Sequence, residues 1–219
     1  RPFSITETSP KTFVANSTLA SAPSPAPQQL TVLGNGFSNN SVVQLDGIAL
    51  PTTLVSNRKL TATVPSTLLS SARRFSVQVE DSGAITNASD FTVEQSVDVS
   101  ACSATPFPSG VAIDPQANLA AVTLEGCNSL ALIDLASATG TTVLVGSNPV
   151  GVSVFPRLHT AVVTNYGSGS ASVVDELSQT VLHTITTGAG SIGVAANQDT
   201  GEAAVANNVA NTVTVLNVT

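Results

Sequence analysis

The sequence predicts an all-β fold in two parts, a β-sandwich followed by about three four-stranded blades, and three observations predict it. Apolar and polar residues alternate in short runs such as Leu60-Thr61-Ala62-Thr63-Val64 and Phe75-Ser76-Val77-Gln78-Val79, each bounded by Gly, Pro, Asn or Ser, the period-two pattern of half-buried strands. Helical periodicity is nearly absent. A glycine-valine pair recurs at Gly110-Val111, Gly151-Val152 and Gly193-Val194, 41 and 42 residues apart, and a repeat of that length outranks any local motif.

Composition bounds what the chain can do. Its 219 residues suffice for one large domain or two modest ones, and at 42% hydrophobic they can bury a core. Charged residues make up 10%, against about 25% in an average soluble domain. Serine and threonine, 27 of each, take their place, so the surface is hydroxyl-rich. A net charge of −7 with only two lysines argues against a nucleic-acid binder, because phosphate neutralisation needs clustered cations. No apolar run approaches the length of a membrane span. Residues 1–74 carry +4 and residues 75–219 carry −11, an asymmetry that would favour head-to-tail contacts between copies. With no methionine, even at position 1, the chain is expected to be a processed or excised product whose signal peptide is already absent.

In order along the chain, Ser4-Ile5-Thr6-Glu7-Thr8-Ser9-Pro10 reads as an edge strand stopped by proline. Residues 21–27 hold three prolines and cannot enter a ladder, so they form an exposed loop. A strand series then runs to Val93. Residues 1–95 are thereby a β-sandwich of about the immunoglobulin size. The opening Ile5-Thr6-Glu7-Thr8-Ser9-Pro10, then Leu30-Thr31-Val32-Leu33-Gly34-Asn35-Gly36-Phe37, Val43-Gln44-Leu45-Asp46-Gly47, Leu60-Thr61-Ala62-Thr63-Val64-Pro65 and the closing Asn87-Ala88-Ser89-Asp90-Phe91-Thr92-Val93 resemble the IPT/TIG family of immunoglobulin-like domains. That resemblance implies an extracellular setting.

Residues 96–103 read as a linker or outer strand, and 104–219 as the repeat, with units starting near 108, 149 and 191. Ten residues after each repeat glycine stands alanine (Ala120, Ala161, Ala203), and twelve after stands valine (Val122, Val163, Val205). Twenty-four after stands Asp134, Asp175 or Asn217. A four-stranded unit of about 40 residues is the mark of a β-propeller blade. Val163-Thr164-Asn165-Tyr166 followed by Ser172-Val173-Val174-Asp175 resembles the YVTN family of surface-layer-type propeller repeats; the first copy has Leu124 where the asparagine falls, and the third has Asn217 for the aspartate. About three blades cannot close a propeller, which needs roughly 4–8, so the first and last are expected to expose an apolar face and a strand edge.

Candidate chemistry is sparse. Gly188-Ala189-Gly190-Ser191-Ile192-Gly193 matches a dinucleotide fingerprint in letters, but such a site needs a helix after it, and the repeat puts Gly193 at a strand entrance. His159 and His183 are the only histidines and read as solvated surface residues, one in a turn and one in an outer strand. Asp199-Thr200-Gly201-Glu202 reads as a polar turn rather than a calcium loop. Asp134 and Asp175 read as acceptors for their neighbouring turns. Asn16, Asn39, Asn87 and Asn217 begin N-x-Ser/Thr sequons, which matter only where the source glycosylates secreted proteins. Cys102 and Cys127 are compatible with one disulfide in an oxidising compartment and are expected to be bonded to each other.

These readings lead to a non-enzymatic secreted or cell-surface protein acting in adhesion, envelope organisation or self-assembly, with no catalytic, metal or cofactor site. Its partners would be other copies of itself or further blades of a longer chain, or a cell-surface protein or polysaccharide, with no nucleic acid and no membrane span. The alternative is a fragment of a larger propeller enzyme, a lyase or hydrolase, with its catalytic residues outside this chain.

Overall fold

The computed structural model describes residues 4–9, 12–18, 25–102 and 105–219, the second of these stretches as backbone only. Of the proline-rich loop, residues 21–24 lie outside the described residues, as does Pro10. The chain divides into two compact units that separate between Ser96 and Val97.

The first unit is a sandwich built from β1 (Ser4–Ser9), β2 (Thr12–Thr18), β3 (Gln28–Asn35), β4 (Val42–Leu45), β5 (Ile48–Ala49), β6 (Thr52–Ser56), β7 (Lys59–Val64), β8 (Arg73–Asp81), β9 (Ala84–Ile85) and β10 (Ser89–Asp98). One sheet runs β1-β3-β7-β6; the other runs β2-β10-β8-β4-β5, with β9 on β8. Strict alternation decides which side chains go inside: Leu30 and Val32 from β3, Leu60, Ala62 and Val64 from β7, and Phe75, Val77 and Val79 from β8 form one core with Val43, Leu45, Phe91 and Val93. The Phe75 and Phe91 rings lie 6.2 Å apart, within the range of favourable aromatic pairs. Asp46-Gly47 and Ser82-Gly83 take positive φ at both residues, as two-residue hairpin loops require.

The second unit holds three sheets stacked face to face. Blade 1 is β11 (Pro108–Asp114), β12 (Leu119–Leu124), β13 (Ser129–Asp134) and β14 (Thr139–Leu144). Blade 2 is β15 (Pro149–Phe155), β16 (Thr160–Asn165), β17 (Ser170–Asp175) and β18 (Thr180–Thr186); blade 3 has β19 (Ser191–Asn197), β20 (Glu202–Asn207) and β21 (Thr212–Asn217). Each sheet is antiparallel in sequence order. All-β architecture, a sandwich followed by blades, is therefore what the chain adopts.

Side chains on the two faces of each blade alternate between neighbours. Ala121, Leu130 and Leu132 of blade 1 meet Val154, Ala161, Val163 and Val174 of blade 2. Val162, Ala171 and Val173 on the other face of blade 2 meet Ala203, Val205 and Leu216 of blade 3. Blade 1's remaining face is not bare as the blade count suggested. Val97 and Val99 lie on Ala120, Val122, Leu124, Ala131 and Ile133, and Cys102 is bonded to Cys127 with Cα atoms 5.9 Å apart. The innermost and outermost strands of that face stay open, with Val111 and Ile113 of β11 66% and 53% exposed and Leu144 of β14 75% exposed.

Gly110, Gly151 and Gly193 occupy the same place, the third residue of β11, β15 and β19, and the ladder to the next strand shifts register around each. The first two are points of close approach. A Cβ on Gly110 would sit 2.4 Å from the Val150 carbonyl oxygen, and one on Gly151 would sit 2.3 Å from that of Ile192. Thr123 Oγ1 accepts the Gly110 N–H at 2.7 Å and donates to Val150 O at 2.8 Å. Thr164 repeats this between Gly151 (2.8 Å) and Ile192 (3.0 Å). A Cβ at Gly193 would meet nothing nearer than Ala206 Cβ at 3.9 Å.

Two predictions come from this geometry. Gly151→Ala should destabilise the chain by about 1–3 kcal/mol, the usual cost of forcing a methyl group into a packed seam, whereas Gly193→Ala should stay within about 0.5 kcal/mol; urea midpoints of the two variants measure the contrast, and equal losses would contradict it. The unreduced chain should have an intact mass two hydrogens short of the reduced one. Replacing both cysteines by serine should cost about 3 kcal/mol, as expected for closing a loop of this size, given the separation of 25 residues.

Candidate functional site

Most residues singled out from the sequence take structural places. Asp134 Oδ1 accepts the amides of Ala136 and Ser137, both at 2.8 Å. Asp175 Oδ1 accepts those of Leu177 and Ser178 at 2.9 and 2.7 Å. These bonds, led by the Ser137 and Ser178 amides, hold both carboxyls below the ordinary aspartate range. Asn217 Oδ1 does the same for the Thr219 amide at 2.9 Å. The glycine-rich stretch is a turn with Gly190 at φ 71°, running directly into β19. Residues 199–201 fill the turn between β19 and β20. His183 is exposed on β18. Among the described residues no group of three His, Cys, Asp or Glu side chains is arranged to hold a metal ion.

His159 departs from the expectation of a solvated surface residue. Its Nδ1 lies 2.8 Å from Asp114 Oδ2, and the Asp114 side chain has no exposed surface. A carboxylate can only accept, so the imidazole N–H donates. Asp114 Oδ1 meanwhile accepts the amides of Gln116 (2.7 Å) and Ala117 (3.0 Å). Burial alone would push this carboxyl up more than any other single influence, but the bonds from His159, Ala117, Gln116 and Glu176 outweigh it and the net direction is down.

Glu176 completes the cluster. It follows β17, its amide donates to the His159 carbonyl at 2.8 Å, and its side chain is 1% exposed. Neither carboxyl oxygen finds a donor, because Asp114 presents only acceptors. Burial first, then Asp114 and Asp175, raise its pKa from 4.5 to about 8. A proton on Glu176 converts two repelling carboxylates into a hydrogen bond donated to Asp114.

Sequence reading missed this cluster, although the repeat contains its signal. Counted from the repeat glycines, Asp114 shares its column with Phe155 and Asn197, His159 with Asn118 and Gly201, and Glu176 with Leu135 and Val218. The middle column has positive φ in every copy (55°, 49° and 73°), which suits asparagine and glycine and is uncommon for histidine. At the seam between blades 2 and 3 the corresponding positions are apolar, with Phe155 buried and Val218 packed on the same cluster.

The second notable surface is the outer face of blade 3. Val213 and Val215 are 68% and 66% exposed, whereas their counterparts Leu130 and Leu132 in blade 1, and Ala171 and Val173 in blade 2, are buried against the next blade. Gly193, Ala195, Ala204 and Ala206 lie on this same uncovered face.

An all-β sandwich joined to a stack of small-residue blades defines a modular β protein. Comparison with known proteins sharpens the first unit: residues 4–93 match the IPT/TIG domain family. No curated protein matches the chain. Solved structures to which the chain is similar include hydrazine synthase of Kuenenia stuttgartiensis, 23% identical with TM-score 0.49, covering 52% of this chain and 33% of that one. A functionally unknown protein from Desulfotomaculum acetoxidans is 13% identical with TM-score 0.44, covering 86% and 65%. An auxiliary nutrient binding protein from Bacteroides ovatus is 11% identical with TM-score 0.34, covering 99% and 67%. The chain spans a third of the hydrazine synthase chain and less than two thirds of the Desulfotomaculum protein. At these levels the likenesses carry nothing about activity.

Proposed function

We propose that the chain is a non-enzymatic structural and binding module of a secreted or cell-surface protein, whose uncovered blade face takes a further blade of the same kind from a longer chain or from another copy. One observation supports this above the rest: Val213 and Val215 lie open on blade 3, while the same columns are buried in both other blades. Exposed apolar faces of this type are normally covered in repeat arrays. The edge of β21 offers a second attachment, since a strand edge pairs readily with an added strand.

The likeness to YVTN-type repeats belongs to this reading, and the structure gives the motif physical roles that agree with it. Val163 fills the seam with blade 1, and Thr164 bonds across the seam to blade 3. Asn165 Nδ2 donates to Ser170 and Ser172 Oγ at 3.1 and 3.0 Å, tying the hairpin closed. Asn207 does the same with Thr212 and Thr214 at 3.0 and 2.9 Å. An extracellular setting accords with the bonded cysteines and the IPT/TIG match.

Sedimentation velocity tests the assembly. The chain should self-associate with rising concentration, and Val215→Asp, a change at an exposed position, should leave it folded and monomeric. A compact monomer at every concentration and salt level would remove the reading in which copies meet. The isolated chain should also turn over no hydrolase, lyase or redox substrate; a turnover lost in His159→Ala or His183→Ala with the fold intact would sink the non-enzymatic reading.

A further inference from the structure

The seam between blades 1 and 2 departs from its repeat. Its sister seam fills the same columns with Phe155, Gly201 and Val218, so the architecture tolerates an apolar solution there. The first seam instead buries two carboxyls and half-buries an imidazole from three separate turns. Replacing well-packed hydrocarbon by buried ionisable groups seldom stabilises a fold. A local rule broken without a stabilising return marks a functional position.

We propose that Asp114, His159 and Glu176 form a proton-operated latch across this seam, closed while Glu176 carries a proton donated to Asp114 and released when that proton leaves. Each packed element contributes one facing group: Asp114 from the end of β11 in blade 1, His159 from the β15–β16 turn, and Asp175 from the end of β17 beside Glu176. His159 fastens Asp114 to blade 2 by its N–H and is the only one of the trio whose side chain reaches solvent, at 29% exposed. Without the proton, Glu176 faces the Asp114 and Asp175 carboxylates with no donor of its own.

The sign follows from linkage. Glu176 holds its proton more tightly in the closed state than in an open or unfolded one, since its pKa rises from 4.5 to about 8. Its contribution is therefore complete below the ordinary glutamate range, declines as pH rises, and is gone above about pH 8. Asp114, shifted downward, works in the opposite sense and weakens the seam only in acid.

Hydrogen exchange on the full chain, corrected for intrinsic rates, tests the latch. Between about pH 5 and 8 the opening equilibrium at β12, β13 and β16 should rise by about tenfold per pH unit, the slope of one linked proton. The amides of β20 and β21, behind the apolar seam, should not follow. Glu176→Gln retains a donor toward Asp114 and should abolish the pH slope. Carbon-13 titration of the Glu176 carboxyl in the unaltered chain provides a readout that needs no variant. A midpoint in the ordinary range near 4.5, or a slope that persists in Glu176→Gln, would overturn the proposal.

Discussion

The second unit depends on one constraint, the approach of each innermost strand to the next at a glycine. Val150 O and Ile192 O occupy the space that a side chain at Gly110 or Gly151 would need. Any Cβ there would drive the blades apart, and the loss would extend to every contact outward along the seam. A hydroxyl makes the approach stable rather than merely possible, because it accepts from the glycine amide and donates to the carbonyl across the seam. Both groups fall where the ladder shifts register, so without the threonine the glycine amide would lose its partner in a partly buried seam, although Val150 O would keep a bond from Ser109 Oγ at 3.2 Å. The abundance of threonine thus has a use in the interior as well as on the surface.

Tight spacing limits what else can lie between blades. The seams are lined with Ala, Val and Leu, which interlock at short range, and they leave little room for aromatic rings. Phe155 is the exception, buried where blade 3 contributes Gly201 and the modest Val218. The first seam uses comparable space for Asp114 and Glu176, and two carboxyl groups there must share a proton or repel. Their energetics are governed by desolvation first and partner second, which is why Glu176 moves up while Asp114, supplied with two amides and an imidazole, moves down.

How much of this was legible in the sequence follows the range of the interactions. Period-two runs gave the strands, and the repeated glycines and alanines gave the blade register, because both are written within a few residues. Asp134 and Asp175 could be assigned to their turns for the same reason. His159 was misread because its partner Asp114 lies 45 residues away in another blade, and a histidine in a turn looks solvated until the neighbouring sheet is placed beside it. Glu176 was overlooked since one residue after a conspicuous repeated aspartate it looks like part of a polar turn. Comparing columns across the three copies, rather than noting only those that agree, would have picked out an acid aligned with Leu135 and Val218.

The covering of blade 1 was equally hidden, and it makes the two ends of the array inequivalent. Val97 and Val99 cover the two middle strands of a face whose counterparts in blades 2 and 3 receive the preceding blade. The Cys102–Cys127 bond fixes this segment to the blade it covers, so withdrawal requires breaking a covalent bond or stretching a short tether. Blade 3 has no such cover, and Val213 and Val215 remain open to solvent. One end of the described array thus presents a partly covered face and the other a face whose valines are open. The two faces therefore differ in how much apolar surface they leave to water, and the disulfide fixes the difference by holding the segment of Val97 and Val99 against blade 1.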